Sequence, residues 1–168
     1  WKLPPLDVLV ADDPGDSDSP VPSVPTEIGR LQPHDAAINA IVVSPDGRYA
    51  ATAGDDARIF LWDLTTFEKV REFEGHDHYV NALAFSEDGR YLLSGSGRHW
   101  IVSDDTSDDD HDATIRLWNV ESGNEIRRFE GHTDGVSAVR FVPGQDLIAS
   151  ASGDNTVRLW HMCTGVEL

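Results

Sequence analysis

Three sets of residues have the side chains that hydrolytic chemistry uses. Each holds a histidine, a hydroxyl, an aspartate and a tryptophan: His34, Thr52, Asp56 and Trp62; His76, Ser94, Asp112 and Trp118; His132, Ser150, Asp154 and Trp160. A hydroxyl, an imidazole and a carboxylate in line form the relay in which histidine takes the hydroxyl proton and the carboxylate orients the ring. Such chemistry needs one set. Here the offsets from histidine are 18, 22 and 28 residues in the first and third sets, and the second departs only by 14 residues inserted before Asp112. A constellation recurring at fixed spacing reads as structural, a chain of hydrogen bonds that satisfies buried polar groups. No residue is assigned a catalytic role.

Other reactive patterns are missing. The chain has no Gly-x-Ser-x-Gly elbow, no Gly-Lys-Ser/Thr phosphate loop and no His-Glu-x-x-His. Gly95-Ser96-Gly97 reads as a strand-end turn. His76 and His78 form a His-x-His pair, but His76 belongs to a tetrad. The Asp104–Asp112 run lacks the spaced acids and the glycine of a calcium loop, and reads as a solvated acidic loop. No metal site and no cofactor is expected.

Short alternating apolar runs, broken by Gly, Pro and Asp turns, must position these residues, which is the pattern of antiparallel strands. Strands are predicted near 38–43, 48–54, 57–62 and 69–73; near 80–85, 90–95, 113–118 and 125–129; and near 136–141, 146–152 and 156–161. Ser44-Pro45-Asp46-Gly47, Ser86-Glu87-Asp88-Gly89 and Val142-Pro143-Gly144-Gln145 supply the first turn of each unit. No stretch carries sustained helical periodicity, so the chain reads as all-β. The histidines are 42 and then 56 residues apart, the second spacing being the first plus the same 14.

This repeat, with Gly75-His76 and Gly131-His132 opening two copies and Trp62-Asp63 closing one, resembles the WD-repeat β-propeller family. The chain departs from the pattern at Pro33-His34, Trp118-Asn119 and Trp160-His161. The resemblance implies four-stranded blades pinned by the three tetrads. It divides the chain into residues 1–31, the end of a preceding blade carrying a Pro/Asp-rich loop at 2–25; a blade at 32–74; a blade at 75–130 with an acidic insertion at 97–110; and a blade at 131–168 truncated in its last strand. A ring takes roughly 4–8 blades, so three copies are expected to be part of a larger propeller.

The family's usual partner-binding face gathers the loop before the first strand and the turn between the second and third. The resemblance places there Ala37, Asn39 and Asp55; Tyr79, Asn81 and His111; and Gly135, Ser137 and Gly153. Tyr79 is the expected anchor, an aromatic among small and polar neighbours. The implied function is a non-catalytic protein–protein interaction scaffold in a multiprotein complex. Two alternatives stand beside it, a regulatory propeller fused to an enzyme domain and a substrate receptor of a ubiquitin ligase. Receptors of the latter kind carry arginine two residues after Trp-Asp, where this chain has Thr65, Glu121 and Cys163.

Composition narrows the partners. A net charge of −17, from 30 acidic against 13 basic residues, disfavours direct binding to nucleic acid and to anionic membranes. It favours other proteins, basic segments among them, and no small-molecule substrate is expected. Cys163 is the single cysteine, which excludes an internal disulfide and fits a reducing, intracellular setting, cytoplasmic or nuclear.

Overall fold

Each predicted run becomes a strand because its turns close. In the first unit the Gly47 amide donates to the Ser44 carbonyl at 2.9 Å, and in the second Gly89 donates to Ser86 at 2.9 Å. Both glycines sit at positive φ, 73° and 71°, the left-handed conformation that ends such a turn. The Ser86 hydroxyl accepts from the Tyr91 amide at 2.9 Å and donates to Asp88 at 2.6 Å, fastening the turn to the strand that leaves it. Ser44 does the same with Tyr49 and Asp46.

The computed structural model describes residues 29–32, 34–97 and 112–168. Loop 2–25 and nearly all of the 97–110 insertion lie outside them. Residues 31–168 form one unit. Its strands are β1 (Ile38–Val43), β2 (Tyr49–Gly54), β3 (Ile59–Asp63), β4 (Glu68–Phe73), β5 (Val80–Phe85), β6 (Tyr91–Ser96), β7 (Ile115–Asn119), β8 (Glu125–Phe129), β9 (Val136–Phe141), β10 (Leu147–Ser152) and β11 (Val157–His161). They pair antiparallel into three meandering sheets, β1-β2-β3-β4, β5-β6-β7-β8 and β9-β10-β11. Beyond β11 only a single bridge, Trp160 to Glu167, continues the third sheet. No helix occurs among the described residues. The third strands of the first two sheets start two residues later than predicted; in the first, Ala57 adopts a left-handed turn (φ 62°) before Ile59.

The sheets stack through two apolar layers built from the same repeat positions. Between the first and second lie Leu61, Phe73, Val80, Leu92 and Trp118. Between the second and third lie their counterparts Leu117, Phe129, Val136, Ile148 and Trp160. The middle sheet, covered on both faces, buries nearly every residue of β7 instead of alternate ones. Full burial of a side chain of this kind contributes about 1.5–3 kcal/mol. The approach is close: a Cβ on Gly95 of β6 would stand 2.6 Å from a Val136 methyl of β9.

The outer rim is tied by arginine. Arg71 of β4 donates to the carbonyls of Ser122 and Glu121, in the β7–β8 turn of the next sheet, at 2.9 and 2.6 Å. Arg127 of β8 repeats the contact on the Thr164 carbonyl at 3.1 Å.

Candidate functional site

All three tetrads are hydrogen-bonded chains. In the first, Trp62 Nε1 donates to Thr52 Oγ1 at 3.0 Å, that hydroxyl lies 2.9 Å from His34 Nε2, and His34 Nδ1 lies 2.9 Å from Asp56 Oδ2. In the second the steps are 2.8 Å (Trp118 to Ser94), 2.7 Å (Ser94 to His76) and 2.6 Å (His76 to Asp112). The third repeats them at 2.9, 2.7 and 2.7 Å across Trp160, Ser150, His132 and Asp154. The indole can only donate and the carboxylate can only accept. The hydroxyl therefore accepts from Trp and donates to Nε2, and a neutral histidine carries its proton on Nδ1.

This connectivity matches that of a nucleophile–histidine–carboxylate relay. Its surroundings do not. The hydroxyl-bearing residues Thr52, Ser94 and Ser150 are buried, and an indole N–H already donates to each oxygen. A substrate carbonyl has no approach to these atoms.

Each carboxylate is held further. Asp56, Asp112 and Asp154 accept from the backbone amides of Asp35, Asp77 and Thr133 at 3.3, 3.2 and 3.2 Å. Thr114 and Thr156 add their hydroxyls to Asp112 and Asp154. Burial alone raises an aspartate, but hydrogen bonds outweigh it: from His34 onto Asp56, from His76 and Thr114 onto Asp112, and from Thr156 and His132 onto Asp154. All three stay below the usual carboxylate range. His76 moves down as well, because burial outweighs the attraction of Asp112.

These shifts share a sign. The unfolded chain takes up protons that the folded chain refuses, so stability is lost as pH is lowered. His76 begins the loss as pH drops through about 6.5, the range of an unfolded histidine. The aspartates add a second loss below about 4. Urea midpoints measured from about pH 8 to about pH 2.5 are expected to decline in that order, and a flat profile between about 7 and 5 contradicts it.

Sequence reasoning missed a further layer. Arg116, 2% exposed, donates to Glu125 at 2.9 Å and reaches Asp112 at 3.5 Å. Arg158 pairs with Glu167 at 2.9 Å in the third unit. Each pair is nine residues apart, and at the matching positions of the first unit stand Phe60 and Lys69. There the Lys69 ammonium lies 4.8 Å from the Phe60 ring centre, a cation–π contact in place of an ion pair. The shared nine-residue spacing was the available signal. Phe60→Arg alone sets two cations together, and adding Lys69→Glu is expected to recover about 1–2 kcal/mol of the loss. A double-mutant cycle in urea measures that coupling, and additive effects refute it.

The third layer explains the dipeptides. Asp63 accepts from the amides of Thr65 and Thr66 at 2.8 and 3.3 Å, Asn119 from Ser122 at 2.7 Å and His161 from Cys163 at 3.2 Å. Any acceptor after the tryptophan can cap this turn.

The residues expected on a binding face fall at one end of the sheets. Register shifts place Asn39, Asn81 and Ser137 at bulges near the start of β1, β5 and β9. Asn39 donates to Asp55 at 2.7 Å and approaches Asn81 of the next sheet at 3.4 Å. Asn81 donates to the Gly97 carbonyl at 2.8 Å, and Ser137 to the Ala151 carbonyl at 3.2 Å. Tyr79 is half-buried with its ring 4.4 Å from that of His78. The carbonyls of Ala37 and Gly135 accept from the amides of Asp55 and Gly153 at 2.9 Å. Ala37 and Gly153 are exposed, whereas Gly135 is buried, so it offers no contact area. His111 lies outside the described residues. Among those residues no His, Cys, Asp and Glu cluster suits a metal ion, and no helix is long and apolar enough to cross a membrane.

A family model described as "WD domain, G-beta repeat" matches residues 25–63, 67–119 and 123–161. The chain belongs to the WD-repeat family, and its sheets are propeller blades. The crystal structure of RRP9 WD40 repeats superposes with a TM-score of 0.70 at 28% identity, covering 82% of this chain and 39% of that one. Nuclear distribution protein nudF 1 of Talaromyces marneffei is 33% identical over 86% of this chain and 29% of its own length. U3 snoRNP-associated protein-like EMB2271 of Arabidopsis thaliana is 33% identical over 80% of this chain and 25% of its own. The chain thus spans less than a third of the length of either relative.

Proposed function

We propose that this chain is part of a non-catalytic scaffold that holds other proteins in a multiprotein complex. The observation that carries the reading is the fate of the three hydroxyls: each is buried and engaged on both sides. The repeated chemistry is spent on rigidity, which leaves the bulged end of the blades as the working surface, with Asn39, Asp55, Asn81, Ser137 and Tyr79 on it. Partners are proteins with basic segments, since a chain of charge −17 repels phosphate backbones. The relatives named for a snoRNP and for nuclear distribution support an intracellular setting, with any RNA reached through partner proteins.

The test is affinity capture with the full-length protein beside Tyr79→Ala and a deletion of residues 97–110. Specific proteins are expected to bind wild type and to fade in at least one variant. Equal capture by all three moves the site elsewhere. Catalytic turnover by the full-length protein with no stable partners overturns the reading.

A further inference from the structure

The opposite end of the blades carries the first turn of each. The β5–β6 turn, Glu87 to Arg90, forms a ridge with a cleft on either side. The cleft toward the first blade has a volume of about 650 Å³ and an apolar lining of Tyr49, Leu61, Val70 and Val120. Toward the third blade the volume is about 660 Å³, and Tyr91, Phe141, Pro143 and Met162 supply the lining. Tyr49 and Tyr91 occupy the same repeat position, as do Val120 and Met162, so the clefts are one site repeated at blade spacing. Apolar surface stays open within: Val70 is 47% exposed.

The rim is net acidic: Asp46, Glu87, Asp88 and Glu121 outnumber Arg71 and Arg90 at the first cleft, and Glu87, Asp88 and Asp146 outnumber Arg90 at the second. Its arginines are committed, Arg71 to the carbonyls of Ser122 and Glu121, and Arg90 to Asp88 at 2.6 Å. Glu87, Glu121 and Asp146 are exposed and join no ion pair among the described residues. Arg71 also bridges the two blades across the outer end of the first cleft, which fixes its width.

We propose that these paired clefts are a second docking surface, which binds an extended, basic segment of another protein with one apolar side chain seated in each cleft. Apolar pockets under an acidic rim select such a segment twice, by burial of its anchors and by attraction of its flanking Lys and Arg. Residues 2–25 of this chain are a poor occupant, since five aspartates would face the acidic rim. The surface is separate from the bulged end that Tyr79 occupies, so it can be engaged while that end holds another partner.

The test selects random twelve-residue peptides displayed on phage against the immobilised full-length protein. Recovered peptides are then titrated, as synthetic fluorescent probes, onto wild type, Val70→Asp, Glu87→Lys with Glu121→Lys, and Tyr79→Ala. The expected consensus pairs Leu, Met or Phe with flanking Arg or Lys. Affinity is expected to fall at least tenfold in the first two variants, to weaken with salt, and to hold in Tyr79→Ala. Circular dichroism and melting checks that the exposed substitutions leave the fold intact. Acidic peptides, peptides indifferent to both cleft variants, or competition by a synthetic peptide of residues 2–25 each overturn the proposal. None of these outcomes bears on capture through Tyr79.

Discussion

Trp118→Ala is expected to lose about 3–5 kcal/mol of stability, the range for truncating a buried aromatic. Trp118 is 1% exposed and serves two layers at once. Its ring packs 5.8 Å from that of Phe73 in the preceding blade and 6.1 Å from His76 in its own. Its N–H meets Ser94, itself fully buried. Truncation leaves a cavity between blades and removes a donor from an oxygen that water cannot reach. Trp118→Phe separates the two effects, since it keeps most of the volume and costs about 1–3 kcal/mol for the lost donor. Urea unfolding followed by circular dichroism measures both. A loss below about 1 kcal/mol for Trp118→Ala, well under the usual cavity cost, removes the tetrad's structural role.

Asp112→Ala comes next, at about 3–5 kcal/mol, because it strands a buried cation. Arg116 is enclosed, with a side chain 2% exposed, and Asp112 is one of its two carboxylate partners. The same change orphans the His76 Nδ1 proton and the Thr114 hydroxyl. The equivalent substitutions grade downward with the exposure of the local arginine. Arg158 is 20% exposed beside Asp154, and Arg58, at 51%, reaches Asp56 only through its backbone amide, at 3.2 Å. The expected order of loss is Asp112→Ala, then Asp154→Ala, then Asp56→Ala, read as urea midpoints at one pH. An equal loss at all three positions means that the histidine bond alone matters, and Arg116 contributes nothing.

Much of the fold was legible because its cues are local. Alternating runs and the Ser44–Gly47 and Ser86–Gly89 turns set strand positions to within a residue or two, and fixed offsets brought His, Ser/Thr, Asp and Trp together. What the sequence hid is what stacking creates. Arg116 reads as the polar half of an alternating strand, facing water. The segment entering the blade at Gly75 covers that face, so closely that a Cβ on Gly75 would clash with the guanidinium. The arginine is therefore buried and must be paired, and nothing within β7 announces this. Gly135 reads as a position on the binding face by its offset from His132. Its backbone instead closes a hydrogen bond with Gly153 and is covered. Asn39, Asn81 and Ser137 were assigned to the face by the family resemblance. That they sit at bulges, which re-aim a side chain out of the ladder, depends on the register between strands.

The rim arginines have a consequence for how the assembly comes apart. Arg71 and Arg127 belong to one blade's ladder but make their bonds in the next, and Gly123 and Gly165 give them room, since a Cβ there would stand 2.7 and 3.2 Å from the arginine Cδ atoms. The seam between blades is therefore latched at its circumference by groups that neither sheet needs for its own pairing. Cutting a latch leaves every ladder intact and lets two neighbours splay like pages from a spine. Gaps that open this way start at the outside and travel inward, reaching the strands β1, β5 and β9 last.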